Sequence, residues 1–180
     1  MPRLALECTG SELDIVCING PINSGKSTVG RRLCELLPGA RFVDGDDHGA
    51  PEDADLDTVI AVALARIEAL IANADADLVI AYPLRVEDHA RLIAAAGRRG
   101  AGLFVVTLAP PLAVSLSNRG ARALSLAECE RIAQMYDEGY ADPPFTDLLL
   151  DNAAMAPTQT VEAIRSALTA WRVDRERRRR

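Results

Sequence analysis

Two hydrophobic rhythms alternate along this chain. Short, mostly apolar runs at residues 13–18, 40–43, 78–81, 103–108 and 148–150 have the length and aliphatic content of strands covered on both faces. Between them, apolar residues recur at helical spacing. Val29, Leu33 and Leu36 mark a helix over residues 26–37, stopped by Pro38-Gly39. Ile60, Leu64, Ile67 and Ile71 share one face of a helix over 57–73. A helix over 86–96 carries Glu87 and Asp88 in its first turn, where the dipole favours acids. A short helix follows Pro110-Pro111 and runs to 118, and Ser125-Leu126-Ala127-Glu128 is a capping box opening a helix to about 136. A last helix begins near Pro157 and aligns Val161, Ile164, Leu168 and Trp171. Strand then helix, repeated five times, predicts an α/β fold: a five-stranded parallel sheet flanked by helices on both faces, in one domain over residues 1–180.

Composition narrows this picture. Of 180 residues, 49% are hydrophobic and only 4% aromatic, so Ala, Val, Ile and Leu must build the core. A net charge of −6 argues against a nucleic-acid partner. Cys8, Cys17, Cys34 and Cys129 are scattered without a C-x-x-C pair, which fits free thiols in a reducing cytoplasm. No apolar run approaches membrane-spanning length, and no charged-then-apolar leader opens the chain, so no membrane association is expected. Charge is uneven. Seven acids and no Lys or Arg lie between residues 44 and 57, whereas residues 172–180 hold six arginines. That tail reads as a solvated, frayed helix end or as a binding patch.

The 20 basic residues include a single lysine, Lys26. It sits in Gly20-Pro21-Ile22-Asn23-Ser24-Gly25-Lys26-Ser27-Thr28, a complete G-x-x-x-x-G-K-[ST] phosphate-binding loop between a predicted strand and a predicted helix. Gly20 and Gly25 let the backbone curl so that successive N–H groups, including those of Asn23, Ser24 and Thr28, face inward. The helix start adds its positive end. Lys26 reaches the β- and γ-phosphates and Ser27 offers its hydroxyl to Mg²⁺, with ATP as the nucleotide. A guanidinium is a poor substitute for a compact ammonium there. A GTPase would need an Asn-Lys-x-Asp motif, which a chain with one lysine lacks, and no strand ends in the Asp-Glu of a motor ATPase.

Phe42-Val43-Asp44-Gly45-Asp46-Asp47-His48 places acids at the C-terminal edge of the second strand, where open α/β sheets bind ligands. Phosphoryl transfer needs a held Mg²⁺ and a carboxylate to orient the attacking hydroxyl, and Asp44 and Asp46 can divide those roles. Asp47 and His48 fit either the acceptor side or a solvated loop.

The loop at 20–28 followed by Asp44-Gly45-Asp46 resembles the shikimate kinase and gluconate kinase branch of small P-loop kinases, with adenylylsulfate kinases and chloramphenicol phosphotransferase as relatives. The resemblance spans about residues 13–164. It implies transfer of the γ-phosphate of ATP to a hydroxyl of a small molecule, and a mobile lid, here short and near residues 118–125. It implies that Asp44 helps hold Mg²⁺ and that Asp46 binds or deprotonates the acceptor. It further implies that Arg119 and Arg122 are lid arginines, and that the loop at 151–157 passes the adenine between Arg119 and Pro157. Arg85, in Tyr82-Pro83-Leu84-Arg85, fits a grip on an anionic acceptor or a surface arginine at a helix start.

The acceptor does not transfer with the resemblance. Thr58-Val59-Ile60 and Tyr82-Pro83-Leu84 stand where shikimate kinases carry an arginine-bearing segment and a triple-glycine turn. Asp46, Asp47, Asp137 and Glu138 predict an acidic acceptor side, suited to a polyol or a cationic amino-sugar. The rival function is an ATP-binding regulatory module without transfer. A nucleoside monophosphate kinase ranks lower, because only Arg85 is placed for a second phosphate.

Overall fold

The computed structural model describes residues 13–118 and 123–180. Its elements follow the alternation in the sequence: β1 (Asp14–Asn19), α1 (Lys26–Leu36), β2 (Arg41–Asp44), α2 (Leu56–Ala72), β3 (Leu78–Ala81), α3 (Val86–Arg99), β4 (Gly102–Leu108), α4 (Leu112–Ser115), α5 (Leu126–Asp137), β5 (Leu148–Leu150) and α6 (Pro157–Arg178). The strands form one parallel sheet in the order β2-β3-β1-β4-β5. The chain reverses its direction of strand addition at β1, so the crevice beyond the C-terminal end of β1 is the topological switch point.

Side chains alternate across β1 because the strand period is two. Ile15 and Cys17 enter the core shared with α2 and α3, while Val16 and Ile18 enter the core shared with α1 and α6. Burial pushes the Cys17 thiol up to about 12, so it behaves as a small apolar side chain. Cys17, Cys34 and Cys129 are free thiols, and Cys8 lies outside the described residues. No described helix is long and apolar enough to cross a membrane.

Several boundaries differ from the sequence reading, among them α4, which ends at Ser115 rather than at 118. Helix α2 starts at Leu56 because Asp55 caps it, accepting the Thr58 N–H at 2.7 Å. Helix α3 continues to Arg99 and stops at left-handed Gly100. The arginine tail is not frayed. Helix α6 runs to Arg178, and two of its arginines turn onto the sheet. Arg172 meets Asp14 at 2.5 Å and Asp77 at 2.8 Å, and Arg175 meets Asp14 at 2.6 Å. The Asp14 side chain is only 2% exposed, so these guanidiniums compensate a buried charge at the start of β1. Arg175 also stacks over Trp171, 4.5 Å from the ring centroid.

Candidate active site

The loop after β1 has the curl its sequence predicts. Gly20, Asn23 and Gly25 all have positive φ, at 136°, 62° and 98°. A Cβ on Gly20 would stand 2.4 Å from the Leu108 carbonyl oxygen, so only glycine lets the loop pass the end of β4. Asn23 spends its carboxamide on the carbonyls of Ser115 (2.8 Å) and Ser117 (3.0 Å). This bond ties the loop to the segment that leads toward residue 118. Buried Asn152, just beyond β5, donates to the Ser24 carbonyl at 3.0 Å. The neighbouring Ser24 Oγ and Asn152 Oδ1 are buried without a hydrogen-bond partner among the described residues. Both are polar groups available to a ligand.

Lys26 opens α1, and its Nζ folds back to donate to the Pro21 carbonyl at 2.8 Å. Burial pulls its pKa from 10.5 down to about 8, against the opposing pull of Asp46 and then Asp44. A half-buried ammonium within the electrostatic reach of two carboxylates is a site suited to anionic phosphate with its metal ion.

Asp44 ends β2 and stands beside α1. Its Oδ1 lies 3.5 Å from the Ser27 hydroxyl, and its Oδ2 accepts from Arg31 at 3.0 Å. The Ser27 hydroxyl and the Asp44 carboxylate are hard oxygen donors, the kind Mg²⁺ takes alongside phosphate oxygens and water. Arg31 was missed in the sequence reading. Its signal was available, since Ser27 and Arg31 are four residues apart on one helix face. Arg66 of α2 was also missed: it donates to the Asp44 carbonyl at 3.1 Å and pairs with Asp47 at 3.1 Å. No local spacing marks that contact.

Gly45 lets Asp46 turn away from the sheet. A Cβ there would meet the Tyr82 ring at 2.3 Å, and its N–H donates to the Ala81 carbonyl. The Asp46 carboxylate has no hydrogen-bond or ion-pair partner among the described residues, although its backbone N–H reaches Asp44. Buried Asn19 stabilises the same edge, donating to Thr107 Oγ1 and accepting the Leu84 N–H.

Two cavities meet on the loop. One, of about 380 Å³, is lined by Asn23, Gly25, Thr28, Asn152, Met155 and Pro157. The other, of about 170 Å³, holds Asp46 and His48 and is bordered by Ile22 of the same loop. Pro157 and Asp46 thus line different cavities, each bordered by residues of the phosphate loop. The Ala50 N–H donates to His48 Nδ1 at 3.0 Å, which leaves Nε2 as the protonated nitrogen of the neutral ring.

The expected acidic acceptor side is not what the structure holds. Asp47 is paired to Arg66 and, with Asp137, does not line the second cavity. Glu138 is bound at 3.0 Å by Arg131, a lining residue the sequence reading missed. Ile22, Leu56, Val59, Ile60, Ala63 and Met135, with Tyr82, Pro83 and Tyr140, supply most of the wall instead. Arg85 is engaged as well, its fork gripping Asp88 at 2.9 and 3.0 Å, which pushes the guanidinium pKa further up. It lines a neighbouring cavity with Glu87 and Glu138. Arg119 and Arg122 lie outside the described residues, and the Asn118 side chain accepts the Leu124 N–H across that segment.

No protein-family model and no curated protein matches the chain. Solved structures do. A gluconokinase from Sinorhizobium meliloti 1021 is 19% identical, with a TM-score of 0.75 over 92% of this chain and 97% of that one. The tunicamycin resistance protein of Deinococcus radiodurans is 21% identical, with a TM-score of 0.62 over 87% of this chain and 96% of that one. The APS kinase CysC of Mycobacterium tuberculosis, in complex with AMPPNP and APS, is 21% identical, with a TM-score of 0.59 over 88% and 98%. At such identities the likeness carries architecture, and the chain has the five-stranded parallel fold of the small P-loop kinases.

Proposed function

We propose that the protein is an ATP-dependent phosphotransferase that moves the γ-phosphate to a hydroxyl of a small molecule in the cytoplasm. One observation carries the reading. The phosphate loop borders two cavities, and Asp46, an unpartnered carboxylate lining one of them, lies close enough to Lys26 to oppose the fall in its pKa. Adenosine fits the larger cavity beside Pro157, and the triphosphate runs along the loop amides toward Lys26. The acceptor hydroxyl enters from the smaller cavity beside Asp46.

The chemistry follows from those positions. The acceptor O–H bond breaks and its proton passes to an Asp46 carboxylate oxygen. The freed oxygen bonds the γ-phosphorus while the bond to ADP breaks, and Lys26 with the loop amides neutralises the charge that moves onto ADP. Ser27 and Asp44 are the residues to hold Mg²⁺, which when bound offsets charge on the β- and γ-phosphates. Arg119 and Arg122 are proposed to close over the transferring group. Arg85 and Asp47 are proposed to act at the acceptor side only after exchanging their present partners. The structural relatives support the reading, since they include a gluconokinase and an APS kinase in complex with AMPPNP and APS.

A coupled ADP-release assay tests the proposal. The expected result is slow ADP release with water as acceptor, abolished by Lys26→Ala, and accelerated by a small alcohol. Nucleotide binding with no ADP release under any acceptor would favour a regulatory module instead.

A further inference from the structure

We propose that the acceptor is an alcohol with an apolar body, such as an aryl or alicyclic alcohol, rather than a polyol, sugar acid or amino-sugar. This rests on the phosphotransferase reading of the same site. The cavity beside Asp46 is amphipathic. Its unsatisfied polar groups are the Asp46 carboxylate, which is unpartnered, and the His48 Nε2–H. Besides the paired Asp88 and Arg131, the remaining wall comes mainly from aliphatic side chains, Ile60 and Ala63 of α2 and Met135 of α5 among them, with the rings of Tyr82 and Tyr140.

Charge in the wall is already compensated. Asp88 is 2% exposed at its side chain and is gripped by Arg85, and Arg131 is held by both oxygens of Glu138 at 3.0 Å. A polyol seated there would strip several hydroxyls of water and return few hydrogen bonds, at a cost for each one left unpaired. An anionic acceptor would meet Asp46 as its nearest unpaired charge, and an ammonium paired with Asp46 would occupy the carboxylate that the transfer needs as a base. An apolar body loses nothing by entering, and its single hydroxyl meets Asp46. The volume of about 170 Å³ is below the roughly 300 Å³ at which pockets for drug-sized ligands begin, so one ring or a short branched chain fills it.

The test uses the full chain with Mg·ATP in a coupled ADP assay. Cyclohexylmethanol and 2-phenylethanol are compared with glycerol, ribitol and gluconate. The expected result is a kcat/KM for the apolar alcohols at least tenfold above that for the polyols. Ile60→Asn should lower it by roughly 10–200-fold, the range for one apolar contact. Val59→Thr, which keeps side-chain volume, provides a second variant if Ile60→Asn does not fold. Ligand-observed NMR on nucleotide-free protein measures binding separately. Polyols or gluconate turned over as well as the apolar alcohols would overturn the inference and leave the phosphotransferase reading standing. Apolar alcohols bound by wild type, lost in the variants and never phosphorylated would uphold the pocket assignment and sink the transfer reading. Absence of both binding and turnover of the apolar alcohols would defeat the inference outright.

Discussion

The Lys26 Nζ donates to the Pro21 carbonyl at 2.8 Å, so the chain's one lysine closes the loop that it also serves. Burial holds its pKa near 8 rather than 10.5. Bound triphosphate favours the charged ammonium and raises that pKa again. Nucleotide binding is therefore expected to take up a proton between about pH 8 and 10 and to weaken as pH rises through that window. Calorimetry at pH 8.5 in two buffers of different ionisation enthalpy measures the uptake, which should approach zero at pH 7.

The same depressed pKa makes a stability prediction of defined sign. The unfolded chain holds the Lys26 proton more tightly than the native state, so the charged lysine destabilises the fold below pH 8. That penalty fades as pH rises toward 10.5. Lys26→Met should melt higher than wild type at pH 7, with the gap narrowing toward pH 10, while transfer activity falls by about 10³-fold or more. Thermal melts across pH check the first part and ADP release the second.

Asp46→Asn is expected to leave the melting temperature and ATP affinity near wild type, because the side chain is exposed and makes no pair among the described residues. Transfer should fall by roughly 10²–10⁴-fold, the usual contribution of a positioned base. Titration with ATP alongside steady-state kinetics separates the two effects.

Asn152→Ala removes the donor that reaches the Ser24 carbonyl from the far side of the sheet. Leaving that carbonyl without its buried partner should cost about 1–3 kcal/mol in urea unfolding. ATP affinity should drop too, since the loop loses its anchor to the segment after β5.

Arg172 and Arg175 lie at the opposite end of β1 from the loop and compensate buried Asp14. Replacing both by Ala should destabilise the protein by about 3 kcal/mol, the low end for breaking a buried pair, because Arg172 keeps contact with water. ATP affinity at a temperature where the variant is folded should not change. A tail serving only as a docking element would give no loss of stability.

The strands, the helices and the phosphate loop were legible because each depends on local order: apolar runs, helical spacing, and a motif whose residues are contiguous. The pairing of charges was not. Asp47 and Glu138 read as free acids in the sequence, but Arg66 and Arg131 reach them through folding, and the pocket becomes apolar. The tail misled for the same reason. Its periodic arginines look solvated until Asp14, 158 residues away from Arg172, is brought beneath them. Asn152 followed a recognisable strand, yet its bond to Ser24 spans 128 residues.

The central claim is that Lys26 and Asp46 act on one phosphoryl group from two sides. Its most direct test is Mg-dependent ADP release by wild type, Lys26→Ala and Asp46→Asn, measured with ATP binding on the same samples. The account predicts slow release by wild type, none by Lys26→Ala, and intact binding with lost release for Asp46→Asn. Equal release by all three proteins would contradict it.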